Sequence, residues 1–533
     1  MSLRTILVVA AASACSLPLV ISAAEKDWPT YNRTLTSERF SPLDAINTKN
    51  VGKLKIVCSY DTGEQTSFDT GLVQVEGALF LTTEHDTFSI DPDTCKQNWR
   101  AHEDFASGAL KVNRGLAWLD GRVYRGTADG RVLAYDAKTG GRLWATTIAD
   151  PAKGESVAAS PIAWNGLVFI GNAGSDNKGV KGRMYALDAK DGRIVWEFYM
   201  VPKGDGDFAR GPEASNTSAE SAAASWKNTD GFPVTGGATW TSYTLDPTNG
   251  LLYVPGGNPA PDFSNEHRIG DNLFTDSVVV LDAKTGAYQR HFQMVKHDFH
   301  DWDASTPPVL FTSKANRKLL AEAPKDGHLH MIDLATGTSL YSVPVTQLQN
   351  IDAPMTAAGT RFCPGAVGGA EWNSPAYAPA LNLIFTGEVH WCTTVHLAPT
   401  DAIAGSPHGQ PWSGATNGFG TQDDTKDWAG YMTASNADSG ERIWQFKAPA
   451  PLMGGITPTA GGVLFFGDMN GTFYAFESRK GKQLWSIDLG GPIAGGVITY
   501  DTGAGQKVAV TAGMASPTWP TPKSSGKIVV LGL

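Results

Sequence analysis

Charged side chains are scarce in this chain. Asp, Glu, Lys and Arg make up 18% of its 533 residues, and 53 acidic against 43 basic ones leave a net charge of −10. A chain with this balance lacks the basic face that phosphate neutralisation needs, which excludes a general nucleic-acid binder. Cysteine is scarcer still: there are five, none in a CxxC zinc pattern or a CxxCH haem-attachment pattern. Beyond residue 21 no run of roughly 18 uninterrupted apolar residues occurs, so no membrane-spanning helix is expected there. Glycine, by contrast, is abundant at 59 residues, beside 31 prolines and 16 tryptophans. So many turn formers exclude a long helical bundle and favour an all-β repeat fold. A hydrophobic share of 41% excludes a disordered chain. The length exceeds what one ordinary core serves, which calls for several domains or one large repetitive architecture.

Arg4 precedes an apolar stretch, residues 6–21, and Ser22, Ala23 and Ala24 are the small residues a signal peptidase accepts. Residues 1–24 read as a secretory signal peptide, which places the mature chain outside the cytoplasm. Removing Cys15 with the signal leaves Cys58, Cys95, Cys363 and Cys392. An even number in an exported chain points to disulfides, most simply Cys58–Cys95 and Cys363–Cys392. Four cysteines allow three pairings, and the sequence alone does not choose among them.

A loose pattern, Asp-x-x-x-Gly-x-x-x-Trp, recurs along the chain. It stands at residues 136–144 (DAKTGGRLW), 188–196 (DAKDGRIVW) and 477–485 (ESRKGKQLW), with divergent copies at 436–444 (NADSGERIW) and 91–99 (DPDTCKQNW). Two more copies, at Asp282 and Asp333, have Arg290 and Tyr341 where the Trp would stand. Each copy reads as an alternating strand, such as residues 132–135, running into an Asp-to-Gly turn with the next strand beginning at the aromatic. With a further strand pair upstream, the unit is four short antiparallel strands, one propeller blade. Copies lie about 40–50 residues apart, as blade repeats do. The gaps from Asp188 to Asp282 and from Asp333 to Asn436 are about twice that, and either hide a degenerate blade or carry long insertions. Seven visible copies and at least one hidden give an all-β, eight-bladed propeller over residues 25–533, with seven blades as the alternative count. Ring closure pairs the last strands with the first. The recurrent Trp is expected to dock between blades, so function falls to residues outside the repeat.

Those other residues carry a resemblance. The segment 27–54 (DWPTYNRTLTSERFSPLDAINTKNVGKL) and, in order, VNRG at 112–115, GGNPAP at 256–261, HDFHDWD at 297–303 and CPGAVGG at 363–369 resemble landmarks of the pyrroloquinoline quinone (PQQ)-dependent alcohol dehydrogenases. That family, which includes methanol and ethanol dehydrogenases, consists of eight-bladed quinoproteins. The resemblance implies oxidation of an alcohol with PQQ as hydride acceptor, a hard cation (Ca²⁺ or a lanthanide) that polarises its carbonyl, and a carboxylate base. Asn258 resembles the family's metal-binding amide. Asp176 stands where the family usually has Glu, although an extra residue before Gly179 leaves Asn177 as the alternative. Trp240, in GGATWTSY, matches the tryptophan under the quinone. Arg114 resembles the arginine that pairs with a PQQ carboxylate, and Lys325 falls where a cation faces the reactive carbonyl. Aligning His-Asp-x-x-Asp puts the catalytic carboxylate at Asp301, while alignment on Trp302-Asp303 would put it at Asp303. In the family an aspartate two residues past the base marks lanthanide users, and Asp303 has that spacing. If the stretch is extended, both carboxylates fall on one side.

The departures are specific. Gly108 and Ala109 stand where the family carries adjacent cysteines, Phe68 where it carries an acidic residue, and Met453 where it carries a tryptophan. The implied enzyme is periplasmic and, lacking CxxCH, passes electrons to a separate acceptor such as a soluble cytochrome c. Two rivals remain: the same chemistry on a bulky or polymeric alcohol such as polyvinyl alcohol, and a non-catalytic propeller scaffold for outer-membrane assembly.

Overall fold

Among the described residues, every strand lies within a small antiparallel sheet. The structure, a computed structural model, describes residues 23–204, 206–215, 219–229 and 231–533. The signal peptide expected at residues 1–24 thus falls almost wholly outside the described residues. Among the described residues, eight four-stranded sheets and one three-stranded sheet make up the fold. The only α-helices among the described residues are the short Ala23–Lys26, Ala219–Ala224 and Thr400–Gly405, none long and apolar enough to cross a membrane.

Seven of the four-stranded sheets follow chain order. The first is Val73–Val75, Ala78–Thr82, Asp86–Ile90 and Gln97–His102, and the second runs from Ala117–Leu119 to Arg142–Thr147. Local chemistry builds the turn between third and fourth strands. Asp136 Oδ1 accepts from the backbone N–H of Thr139 at 2.8 Å and from the Thr139 hydroxyl at 2.8 Å, and Gly140 N–H closes on Asp136 O at 2.9 Å. Gly140 sits at φ +73°, where a side chain would be strained. Alternation along the third strand serves two neighbours rather than a wet and a dry face. Leu133 and Tyr135 join the core shared with Phe80 and Trp99 of the first blade, while Ala134 packs with Val168 and Ala189 of the third.

The repeated tryptophans join consecutive blades. Trp99 Nε1 donates to Ala137 O at 2.9 Å, Trp144 to Ala189 O at 3.2 Å, Trp196 to Ala283 O at 3.0 Å and Trp444 to Ser478 O at 3.0 Å. Where the Trp is missing the bond is kept by other means: Arg290 Nη1 donates to Leu334 O at 3.1 Å and the Tyr341 hydroxyl to Ala437 O at 3.0 Å. Each aromatic also covers the next turn's glycine. A Cβ on Gly286 would lie 2.6 Å from the Trp196 ring, at a backbone φ of +70°. Gly286→Ala is therefore expected to cost about 1–3 kcal/mol through overpacking and strain, read as a lower guanidinium midpoint at unchanged slope.

The eighth blade is Val497–Asp501, Gln506–Ala512 and Lys527–Gly532, completed by Lys55–Asp61 from the other end of the chain. Its third and fourth strands are not consecutive, so it has no Asp-to-Gly turn and shows no copy of the pattern. The two long gaps carry insertions instead, one of them holding all of the three-stranded sheet Thr360–Phe362, Thr393–Val395 and Thr421–Gln422. At the seam the tryptophan–glycine contact becomes covalent. Cys58 stands opposite Val530 as Trp144 stands opposite Ala134, and Cys95 takes the turn-glycine position at φ +57°. Cys58 and Cys95 are bonded with Cα atoms 5.8 Å apart, and Cys363 and Cys392 with Cα atoms 4.5 Å apart.

Candidate active site

In a four-stranded antiparallel blade, the start of the first strand and the end of the second lie at the same end, opposite the Asp-to-Gly turn. The candidate residues occupy that end. Arg114, Trp240 and Asp303 lie within six residues before the first strands that begin at Ala117, Thr244 and Val309. Asp176, Asn258 and Lys325 follow second strands that end at Gly171, Pro255 and Glu322. The repeated pattern builds one end of the ring, and the segments outside it converge at the other.

Lys325 is the buried hub. Its Nζ lies 2.5 Å from Asp303 Oδ2, 3.7 Å from Asp301 Oδ1 and 5.5 Å from the centre of the Trp240 ring. Burial alone would lower its ammonium, but Asp301, Asp303 and Glu371 outweigh it and hold the group well above the usual lysine range. Asp303 is fully engaged: its Oδ1 accepts from Trp240 Nε1 at 3.2 Å and from Asn258 N–H at 2.9 Å. Asp301 has only the longer Lys325 contact. Burial pushes its carboxyl well above the ordinary range, with Asp303, Asp176 and Asp262 adding to the rise against Lys325.

The 297–303 stretch is not an extended strand. Asp298 accepts from His300 N–H at 3.0 Å and Trp302 N–H at 2.9 Å, and Asp301 lies in the left-handed region at φ +65°. That turn, rather than a period of two, brings both carboxylates to Lys325. Asp176 and Asn177 sit in different surroundings. Asn177 Nδ2 donates to Gly154 O at 2.8 Å, whereas the Asp176 carboxyl is raised to about 6 by burial and by Asp303.

Three acidic residues join the cluster without having been singled out in the sequence. Asp262 accepts from Asn258 Nδ2 at 3.0 Å, and its other oxygen is buried without a partner. Burial and Asp176 push it well above the carboxylate range. Glu371 is raised to about 7 by burial and has an unpartnered Oε1. Asp69, raised to about 7 by burial, interacts with Arg114 and has an unpartnered Oδ1. Phe68, one position before this carboxyl, packs in the core between the first and last blades. Asp262 follows Asn258 by four residues and Glu371 follows CPGAVGG by two, so their signal was nearness to the landmarks.

Arg114 lies between two indole faces, its Cζ 4.5 Å from the centre of Trp240 and 5.0 Å from that of Trp372. Its Nε is buried without an acceptor. Met453 packs with Trp372, Trp391 and Trp519, so indoles surround the position where the family's tryptophan is missing. Gly108 N–H donates to Glu84 Oε1 at 2.7 Å, so a backbone contact stands where the family's cysteines would be.

Two groups fit this arrangement. The carboxyls of Asp176, Asp262, Asp301 and Asp303 and the amide of Asn258 are a hard-oxygen donor set with a surplus of negative charge, as a Ca²⁺ or lanthanide ion requires. The unpartnered guanidinium nitrogen between indole faces suits a flat, anionic molecule such as PQQ.

Comparison with known proteins agrees with the geometry. Residues 28–354 match the family described as PQQ glucose/ethanol/alcohol dehydrogenase β-propeller domain, and residues 429–527 match the outer membrane protein assembly factor BamB family. The dehydrogenase subunit of a quinone-type alcohol dehydrogenase from Gluconacetobacter polyoxogenes is 30% identical over 91% of this chain and 71% of its own. A quinohemoprotein alcohol dehydrogenase from Pseudomonas putida superposes with a TM-score of 0.85 at 26% identity, covering 96% of this chain and 81% of that one. A europium-containing methanol dehydrogenase gives 0.82 at 25% identity, covering 96% and 98%. With more than half of its length matched and its charged cluster at the expected end of the ring, the chain belongs to the PQQ-dependent alcohol dehydrogenase family of β-propeller quinoproteins.

Proposed function

We propose that this protein oxidises a primary or secondary alcohol to an aldehyde or ketone in the periplasm, as a single propeller domain over residues 25–533 freed of a signal peptide. Electrons then pass to a separate acceptor such as a soluble cytochrome c. When bound, PQQ accepts the hydride from the carbinol carbon, with a Ca²⁺ or lanthanide ion withdrawing electron density from its carbonyl. Asp176, Asn258, Asp301 and Asp303 hold the ion. Arg114 binds a cofactor carboxylate, and Trp240 offers its ring face. Asp301 takes the hydroxyl proton of the alcohol onto its carboxylate. Lys325 would offset the negative charge that the cofactor gains on reduction.

The observation that carries this reading is the division of labour between two carboxylates on one lysine. Asp303 is tied by Trp240, Asn258 and Lys325, whereas Asp301 keeps a single partner at 3.7 Å. A scaffold has no use for such a cluster, since a buried charge with unpartnered oxygens costs stability. Protein made without PQQ is expected to be inactive, and PQQ with Ca²⁺ or La³⁺ to restore alcohol-dependent reduction of a dye acceptor. Turnover supported by NAD alone, or failure to bind PQQ at about micromolar concentration, would overturn the assignment.

A further inference from the structure

One side-chain cluster lies outside the site just described. Asp326, His328 and His330 stand at and just before the start of strand His328–Asp333. The period of two puts both imidazoles on one face, while Leu329 turns into the core on the other. Asp326 Oδ1 is held by His328 N–H at 2.9 Å, which turns Oδ2 toward both rings, 3.1 Å from His328 Nδ1 and 2.9 Å from His330 Nε2. One ligand atom from each residue lies within 4.8 Å of the others.

We propose that Asp326, His328 and His330 bind a divalent transition-metal ion such as Zn²⁺, Cu²⁺, Ni²⁺ or Co²⁺, independently of the hard-oxygen cluster. An ion held by nitrogen and oxygen at about 2.0–2.2 Å sets its ligands roughly 2.9–3.5 Å apart, the separation already present between Asp326 Oδ2 and each imidazole. Two imidazoles and one carboxylate suit these ions, whereas Ca²⁺ and lanthanides take oxygen. The electrostatics support a cation. Glu322 and Glu388 are buried carboxyls within electrostatic reach of Asp326, and both have oxygens without a hydrogen-bond partner. An ion has a way in, because the His328 and His330 side chains keep 21% and 12% of their exposure. The alternative use of the three residues is a hydrogen-bonded pair of histidines on one aspartate, with no ion.

The experiment uses holoenzyme already loaded with PQQ and with Ca²⁺ or La³⁺, so that the hard site is filled. Cu²⁺ at one equivalent is expected to give an electron paramagnetic resonance signal with hyperfine coupling to two nitrogens. Co²⁺ is expected to give visible absorption that excess Ca²⁺ does not bleach. His328→Gln and His330→Gln should each weaken Co²⁺ binding about 10–100-fold, with the circular dichroism spectrum unchanged. A wild-type Cu²⁺ signal without nitrogen coupling would overturn the proposal without recourse to any variant. So would a His328→Gln/His330→Gln protein that binds Co²⁺ as tightly as the wild type.

Discussion

Asp301→Asn lowers turnover by about 10²–10⁴-fold, the usual cost of losing a general base, and leaves PQQ bound. The substitution is a clean one. Asp301 sits at φ +65°, a conformation that Asn tolerates better than other replacements, so the loop keeps its course. Asp303→Asn costs less turnover provided the metal is retained, because the Asp303 oxygens are taken by Trp240 Nε1, Asn258 N–H and Lys325. The price of that variant falls on stability and on the orientation of Lys325. Both are measured by single-turnover dye reduction on proteins matched for PQQ and metal content. An inactive Asp303→Asn beside an active Asp301→Asn would show that the base is Asp303.

Stripping the metal abolishes activity, and La³⁺ restores it at concentrations about tenfold or more below those Ca²⁺ needs, a difference of about 1.4 kcal/mol or more in binding. The reason is charge. Without an ion, Asp303 favours protonation of Asp176, Asp262 and Asp301, Asp176 adds to the rise of Asp262 and Asp301, and Lys325 is the cation set against Asp176, Asp301 and Asp303. Four carboxylates around one ammonium leave a surplus of negative charge, which a trivalent ion offsets more fully than a divalent one. Asp176 is one methylene shorter than the family's glutamate. Asp262, tied to Asn258 at 3.0 Å, adds a carboxyl beside it that can complete the larger shell. Titrating metal-free protein with each ion decides the matter, with Asp303→Ala expected to reduce the La³⁺ advantage. Full activity with Ca²⁺ and none with La³⁺, unaltered by Asp303→Ala, would remove Asp303 from the metal shell.

The propeller was legible in the sequence because a blade is mostly a local object. Asp136, Thr139 and Gly140 make their turn among themselves within five residues, and Trp144 repeats one contact at one position of the next blade. A pattern of that kind survives in linear order. The eighth blade did not, since its outer strand comes from the opposite end of the chain and the turn that would have marked it does not exist. The chemical landmarks were legible as words, so Arg114, Trp240, Asn258, Asp301 and Lys325 could each be named. Their relation to one another could not. Which carboxylate is tied and which is free depends on an indole N–H and a backbone N–H from one blade and an ammonium from the next. Asp69, Asp262 and Glu371 enter the cluster for the same reason. A buried charge answers to every ionisable group within a few ångströms, and only the closure of the ring determines which groups those are.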